Sequence, residues 1–473
     1  MKQFNMFIDG QSINMSSKLD IINPATGQAF AQCPNGTPAN VDNAVSSARR
    51  AFKLWGQTSS EERKQKIHQL ADTIEANMPE LMTLITQETG KPINGLSGVG
   101  SGMEVGGAIA WTRSTAELDI PIDVIQDNED ARIEVHRKPL GVVASITPWN
   151  WPLMIAIWHV IPALKAGNTV VIKPSELTPL ATIRFVELAN EILPHGVLNI
   201  VTGGSAVGTA LCAHSGVDKI VFTGSTATGK KVMQMASATL KRLTLELGGN
   251  DAGIVLADVD IRSTAKKLFD ACFHNNGQTC AALKRLYVHE SIFDDVCDEM
   301  ARLAREVNVG NGEQEDTELG PIQNAQQLNI VMDLAADAKL NGGHFLTGGR
   351  KIIGAGYFFE PTIVTGLTDG SRLVDEEPFG PILPIIKYTD IEEVIARANR
   401  NQSGLGGSVW SKDIAKATHI ASRLECGSVW VNTHGALQPN APFGGIKQSG
   451  FGIEFGLQGL AEFTSIQTIK INK

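Results

Sequence analysis

The sequence predicts an α/β fold of two lobes, each a mostly parallel sheet covered on both faces by helices, with a cleft between them. Three observations predict it. Short β-branched apolar runs stand at 142–146, 169–172, 198–201 and 219–222, each bounded by turn residues. Helical stretches such as 181–193 lie between them, and wholly apolar strands alternating with helices belong to buried parallel sheets. A second αβ series runs from about residue 253 to residue 430, with strands near 286–288 and 428–431 and a long amphipathic helix before Asn311. At 473 residues the chain exceeds one ordinary core, which also points to two or three domains.

Ahead of the first sheet, Ser59-Ser60-Glu61-Glu62 reads as a capping box, opening a helix expected to end near Gly90 and Pro92. Residues 141–164 are apolar and long enough to imitate a membrane span. Pro148, Pro152 and Pro162 break any single helix there, so the stretch reads as strand, turn and buried helix. The N-terminus has no continuous apolar run to serve as a secretory signal, and a cytoplasmic protein without membrane contact is expected.

The composition, 42% hydrophobic and 19% charged, is that of a globular protein. A net charge of -9 with no Lys/Arg block argues against nucleic acid as a partner. Cys33, Cys212, Cys272, Cys280, Cys297 and Cys426 form no CxxC pair, and the histidines no HExxH, so neither a disulfide framework nor a metal site is expected.

Two short segments carry most of the chemistry. Cys280 closes the run Phe273-His274-Asn275-Asn276-Gly277-Gln278-Thr279-Cys280, and Glu246 opens Glu246-Leu247-Gly248-Gly249-Asn250. A thiol in a small-residue turn can form a thioester, and a carboxylate held nearby can deprotonate the water that hydrolyses it. In Thr147-Pro148-Trp149-Asn150-Trp151-Pro152, the Asn150 carboxamide sits on a stiff apolar turn and suits an oxyanion. Taken alone, Asn150 could equally satisfy a turn backbone.

The nucleotide signals are weaker. The GxGxxG fingerprint is absent, and the near P-loop Gly224-Ser225-Thr226-Ala227-Thr228-Gly229-Lys230 ends in Lys231 where magnesium binding needs Ser or Thr. What is left is a strand, a glycine turn and a helix N-terminus able to face a pyrophosphate, or simply a tight turn. Lys173-Pro174-Ser175-Glu176 follows a buried strand, where ligands of open parallel sheets gather. Lys173 and Glu176 could hold a ribose, and Glu176 would repel a 2′-phosphate, favouring NAD over NADP. The plainer reading is a helix cap.

In this order along the chain, the Pro-Trp-Asn turn at 148–150, Lys173-Pro174-Ser175-Glu176, Phe222-Thr223-Gly224-Ser225, Glu246-Leu247-Gly248-Gly249, Gly277-Gln278-Thr279-Cys280, Glu377-Pro378-Phe379-Gly380-Pro381 and Pro442-Phe443-Gly444-Gly445 resemble the NAD(P)-dependent aldehyde dehydrogenase superfamily nearly end to end. The resemblance implies a fold of two Rossmann-like α/β lobes with a small β oligomerisation element. Residues 1–117 and 140–248 would form the NAD-binding domain, 249–448 the catalytic domain, and 118–139 with 449–473 the oligomerisation element of a homodimer or homotetramer. It assigns Cys280 as nucleophile, Glu246 as general base and Asn150 as oxyanion donor. NAD would lie against Ile146, Thr147, Trp149, Lys173, Ser175, Glu176, Gly208, Gly224, Ser225 and Leu247, with Glu377 on the nicotinamide ribose and Phe379 beside it. Trp151, Ile155, Trp158, Leu437 and Phe443 would line the substrate tunnel, suited to aliphatic or aromatic aldehydes.

Two positions depart from common family forms: Ala281-Ala282-Leu283-Lys284 after the cysteine, and Ile453 before Glu454. An amino or betaine aldehyde would gain cation–π contact from the tryptophans, whereas no Arg awaits a semialdehyde's carboxylate. Glu246 argues against transfer of the acyl group to coenzyme A. The retained Cys280, Glu246 and Asn150 argue against an inactive binding protein.

Overall fold

The structure is a computed structural model describing residues 1–473. Its first sheet has eight strands, in the order Gly450–Phe451, Arg242–Glu246, Lys219–Thr223, Val142–Ile146, Thr169–Lys173, Leu198–Ile200, Met6–Ile8 and Gln11–Ile13. The five strands from 142 to 246 are parallel. Starting at Val142–Ile146, the chain steps twice to one side, then crosses over and continues on the other. Strand order therefore reverses between Val142–Ile146 and Lys219–Thr223, the place where a crevice opens at the carboxyl ends.

Alternation along these strands builds two cores. Val143, Val170, Ile172 and Val221 join the helices on one face, while Val142, Ala144, Val171, Ile220 and Phe222 pack on the other. The second sheet repeats the plan, in the order His344–Thr347, Thr362–Thr365, Ile382–Tyr388, Leu283–His289, Asp251–Val255, Gly406–Trp410 and Ser428–Val431. All its pairs are parallel except the edge pair of His344–Thr347 with Thr362–Thr365. Its cores are likewise separate, with Ile254, Tyr287 and Ile386 on one face and Val255, Leu286 and Ile385 on the other.

A third sheet joins Thr464–Asn472, Ala131–Pro139 and Asp123–Asp127, all antiparallel. It takes less of the C-terminal segment than 449–473. Gly450–Phe451 instead adds an antiparallel strand to Arg242–Glu246, so the chain returns to the first lobe's edge before it leaves.

The expected helix from Ser60 to Gly90 is two helices, Ser60–Ala76 and Met78–Thr89. Pro79 explains the break, because it lacks the N–H that would continue the first ladder. Ser59 accepts from the Glu62 N–H at 3.1 Å, and Gly90 ends the second helix with φ 77°. The stretch at 181–193 is shorter than expected, a helix over Leu180–Ala189. The apolar stretch at 141–164 is strand Val142–Ile146, a turn and helix Pro152–Lys165, which accommodates Pro162 near its end instead of stopping there. No helix of the protein is long and apolar enough to cross a membrane.

Candidate active site

The carboxyl ends of the first sheet, at Thr223 and Glu246, share a cavity with the loop that precedes strand Leu283–His289 of the second. After helix Ile261–Phe273 the chain turns through Asn275, Asn276 and Gly277, with φ of 50°, 58° and 72°. Three successive left-handed residues reverse its direction, and Asn tolerates that region better than most residues. A Cβ on Gly277 would sit 2.4 Å from the Gly380 carbonyl oxygen, so only glycine fits there. Cys280 follows, half-buried, just before strand Leu283–His289. Burial pushes its thiol up to about 12, with the Lys284 ammonium pulling the other way. The Cys280 backbone N–H has no hydrogen-bond partner, leaving it free to meet a developing oxyanion.

Glu246 ends its strand with its carboxylate inside the protein, 4% exposed. Neither oxygen has a hydrogen-bond partner. Burial first, and the Glu454 carboxylate second, hold its pKa well above the usual range; the nearby Gly445 N–H, outside bonding geometry, opposes this only weakly. A carboxyl so placed holds its proton more tightly than an exposed one, and it acts as a base in its anionic form. Asn150, 3% exposed, donates one Nδ2–H to the Gln278 carbonyl at 2.9 Å, which fixes the amide plane and leaves its second N–H free.

Two cavities meet at Cys280. The smaller, about 210 Å³, brings Cys280, Glu246 and Asn150 together with Trp149, Gly224, Ser225, Leu247, Glu377 and Phe379. Ser225 caps helix Thr226–Ala236 through the Thr228 N–H at 3.3 Å, so the helix presents its remaining first amides at the cavity wall. Phe379 has φ 46° and meets the Trp149 ring edge-on at 5.3 Å. Glu377 accepts from the Gly249 N–H at 3.2 Å and pairs with Lys284 at 3.0 Å. A Cβ on Gly248 would lie 2.2 Å from Glu377 Oε2, so the close approach of that carboxylate requires glycine.

Ile146, Thr147, Lys173, Ser175, Glu176 and Gly208 lie outside this cavity, along the neighbouring strand ends. Ile146 and Lys173 are register partners, and Lys173 Nζ stands 3.6 Å from Glu176 Oε2. Gly208 brings its backbone against the Lys173 side chain, where a Cβ would be in ordinary contact at 3.6 Å. The Ser175 hydroxyl accepts from the Leu177 N–H at 3.2 Å, a local turn bond. The Thr147 hydroxyl is buried with no partner, a polar group open to a ligand.

The larger of the two, about 460 Å³, is lined by Trp151, Ile155, Trp158 and Leu437, and also by Trp111, Met154, Trp410 and His434. Phe443 does not line it. It is 3% exposed and packs in a cluster with Ala281, Leu405 and Phe455, stacked on Phe455 at 6.0 Å. Its position next to Gly444 pulls it onto the strand bridge with Glu454, behind the wall. A still larger groove, about 650 Å³, runs past Phe293, Asp369, Lys387 and Arg397 and contains none of these groups.

Lys284, Gln327, Ile330 and Glu454 reach the site without having been assigned to it from sequence. Lys284 lies within one departure from the common family forms and Glu454 directly follows the other, Ile453, which is the one signal available. Gln327 and Ile330 come from helix Ala325–Leu340 and carry no motif.

The aldehyde dehydrogenase family model matches residues 11–469. The chain is 39% identical to phenylacetaldehyde dehydrogenase of Pseudomonas fluorescens, covering 98% of this chain and 95% of that one. It is 37% identical to betaine aldehyde dehydrogenase of Bacillus subtilis, covering 99% and 97%. Among solved structures, the NAD+ complex of aldehyde dehydrogenase from Bacillus cereus superposes with a TM-score of 0.97 at 34% identity, over 100% of this chain and 97% of that one. Fold, cysteine loop and these relatives agree: the chain belongs to the aldehyde dehydrogenase family.

Proposed function

We propose that the protein oxidises an aldehyde to its carboxylic acid with NAD, through a covalent intermediate on Cys280. The observation that carries this reading is the single cavity holding Cys280, Glu246 and Asn150. Cys280 sulfur, its proton released to solvent water, bonds to the aldehyde carbon as the carbonyl π bond breaks, and the oxygen becomes an anion held by the Asn150 Nδ2–H and the Cys280 N–H. NAD, when bound, supplies the hydride acceptor, and loss of hydride from the carbon leaves a thioester. Glu246 then takes a proton from water as the water oxygen bonds to the acyl carbon, and the carbon–sulfur bond breaks to release the acid. A carboxyl buried without partners suits this role, because it holds no hydrogen bond that the incoming water must displace.

The cofactor fits the shelf of strand ends. Lys173 and Glu176 would hold the adenosine ribose, the helix at Thr226 and Ser225 would face the pyrophosphate, and the orphan Thr147 hydroxyl lies between. A 2′-phosphate beside Glu176 would meet its carboxylate, so NAD is favoured over NADP. Glu377 and Phe379 would flank the nicotinamide end. The larger cavity supports aliphatic or aromatic aldehydes, since its walls are mainly apolar and aromatic. The third sheet supports a homo-oligomer: Thr464–Asn472 is an edge strand with Ile466, Ile469 and Ile471 exposed.

The test is NADH formation over a panel of phenylacetaldehyde, short and long alkyl aldehydes, betaine aldehyde and an acidic semialdehyde, each with NAD and NADP. Highest kcat/KM with neutral apolar aldehydes and NAD is expected. Preference for the acidic substrate or for NADP overturns the substrate or the cofactor reading respectively.

A further inference from the structure

The mechanism uses no part of a buried charged cluster lying directly beneath the Asn150 turn. Lys91 and Glu104 are a fully buried ion pair, each side chain 0% exposed. They come from different elements: Lys91 follows the Gly90 helix stop, and Glu104 stands in helix Ser101–Ala116. A buried ion pair costs desolvation and is weak evidence for stability, so its contacts must explain its placement.

Those contacts converge on the turn that carries the oxyanion donor. Lys91 Nζ donates to the Asn150 carbonyl oxygen at 3.0 Å and to the Glu104 carboxylate. It also sits 3.3 Å from the centroid of the Trp151 ring. Its donors are directed at Glu104, Asn150 and the face of Trp151. Glu104 Oε1 meanwhile accepts the Leu153 and Met154 N–H groups at 3.0 and 3.2 Å, capping helix Pro152–Lys165. The pair therefore clamps Asn150 from its carbonyl side, Trp151 from one ring face, and the helix start that follows them. Burial brings Lys91 down to about 8, against the pull of Glu104, which marks how fully water is excluded there.

We infer that Lys91, anchored by Glu104, is a positioning residue that sets the Asn150 carboxamide against Cys280 and fixes the Trp151 wall of the substrate cavity. This rests on the reading of Asn150 as oxyanion donor. It couples the two sides of the site: one ammonium holds the donor's backbone and the aromatic wall beside it.

The experiment is a double-mutant cycle on the full-length enzyme, read by the pre-steady-state burst of NADH and by NAD affinity. Lys91→Met keeps the length of the stem and removes the donors. A fall in burst rate on the order of 10–100-fold is expected, part of the ~10²–10³ seen when an oxyanion donor is lost outright. NAD affinity should change less than about twofold, because the polar contacts of Lys91 go to Asn150 and Glu104 and to none of the residues assigned to NAD. In an Asn150→Ala background, Lys91→Met should cost little more, since the group it positions is already gone. An equal loss in both backgrounds, or an unchanged burst in the single variant, overturns the inference. If Asn150→Ala alone leaves the burst intact, the oxyanion reading fails first, and that result is separately visible. Because Lys91→Met strands the Glu104 charge, Glu104→Gln provides the second arm if the first does not fold. It keeps an acceptor for the Leu153 and Met154 amides, and should show the same dependence on Asn150; a loss independent of Asn150 overturns the inference equally.

Discussion

On one side of Cys280 the cavity of about 210 Å³ is walled by strand ends and glycine turns at 223–225 and 246–248. On the other, the cavity of about 460 Å³ is walled by side chains from helices and loops, among them Trp111, Trp151, Trp158 and Leu437. The first depends on backbone that must approach closely, as Gly248 shows against Glu377. The second depends on which apolar side chains happen to point inward. A wall of the first kind tolerates little change, whereas a wall of the second kind can be resculpted one side chain at a time. Relatives named for phenylacetaldehyde and for betaine aldehyde at similar identity are consistent with that difference.

The most severe break removes the group shared by both cavities. Cys280→Ala should lower NADH formation by at least about 10⁴-fold with every aldehyde, since in the proposed reaction the acyl group is carried on Cys280. Measurable turnover near the parent rate would mean that the two cavities are not joined at a covalent step.

A smaller change sharpens the cofactor side. Glu454 stands beside Glu246 and 3.3 Å from His159, and its charge helps hold the Glu246 proton on. Glu246 works as a base only when anionic, so the acid limb of kcat follows its pKa where deacylation limits the rate. Removing the Glu454 charge by Glu454→Gln lowers that pKa, and the limb should move to lower pH. Because burial is the larger cause and persists, the limb should stay above the ordinary carboxylate range. A limb that moves upward or stays fixed would separate Glu454 from the base.

The same contrast explains what could be read from sequence. Strand-end motifs are local, so Cys280, Glu246 and Asn150, 34 and 130 residues from the cysteine (280 − 246 and 280 − 150), were recognisable and the fold puts them in one cavity. The alternating strands were equally legible, because wholly apolar runs leave few alternatives to a buried parallel sheet. Side-chain walls are not local. Phe443 sits in a recognisable motif, yet whether it faces the larger cavity or the core behind depends on its bridge to Glu454. Lys91 and Glu104 carried no signal, since a buried ion pair is defined by the neighbours that bury it. The break at Asn77 was in principle visible from Pro79, but Met78–Thr89 continues the apolar pattern and disguised it.

The central claim is that Glu246 hydrolyses an acyl group that Cys280 has already received. Intact-protein mass spectrometry of Glu246→Gln, mixed with NAD and a turned-over aldehyde, tests it most directly. The account predicts slow turnover and a mass increase equal to the acyl group, localised to the peptide containing Cys280. Free thiol at undiminished turnover would contradict it.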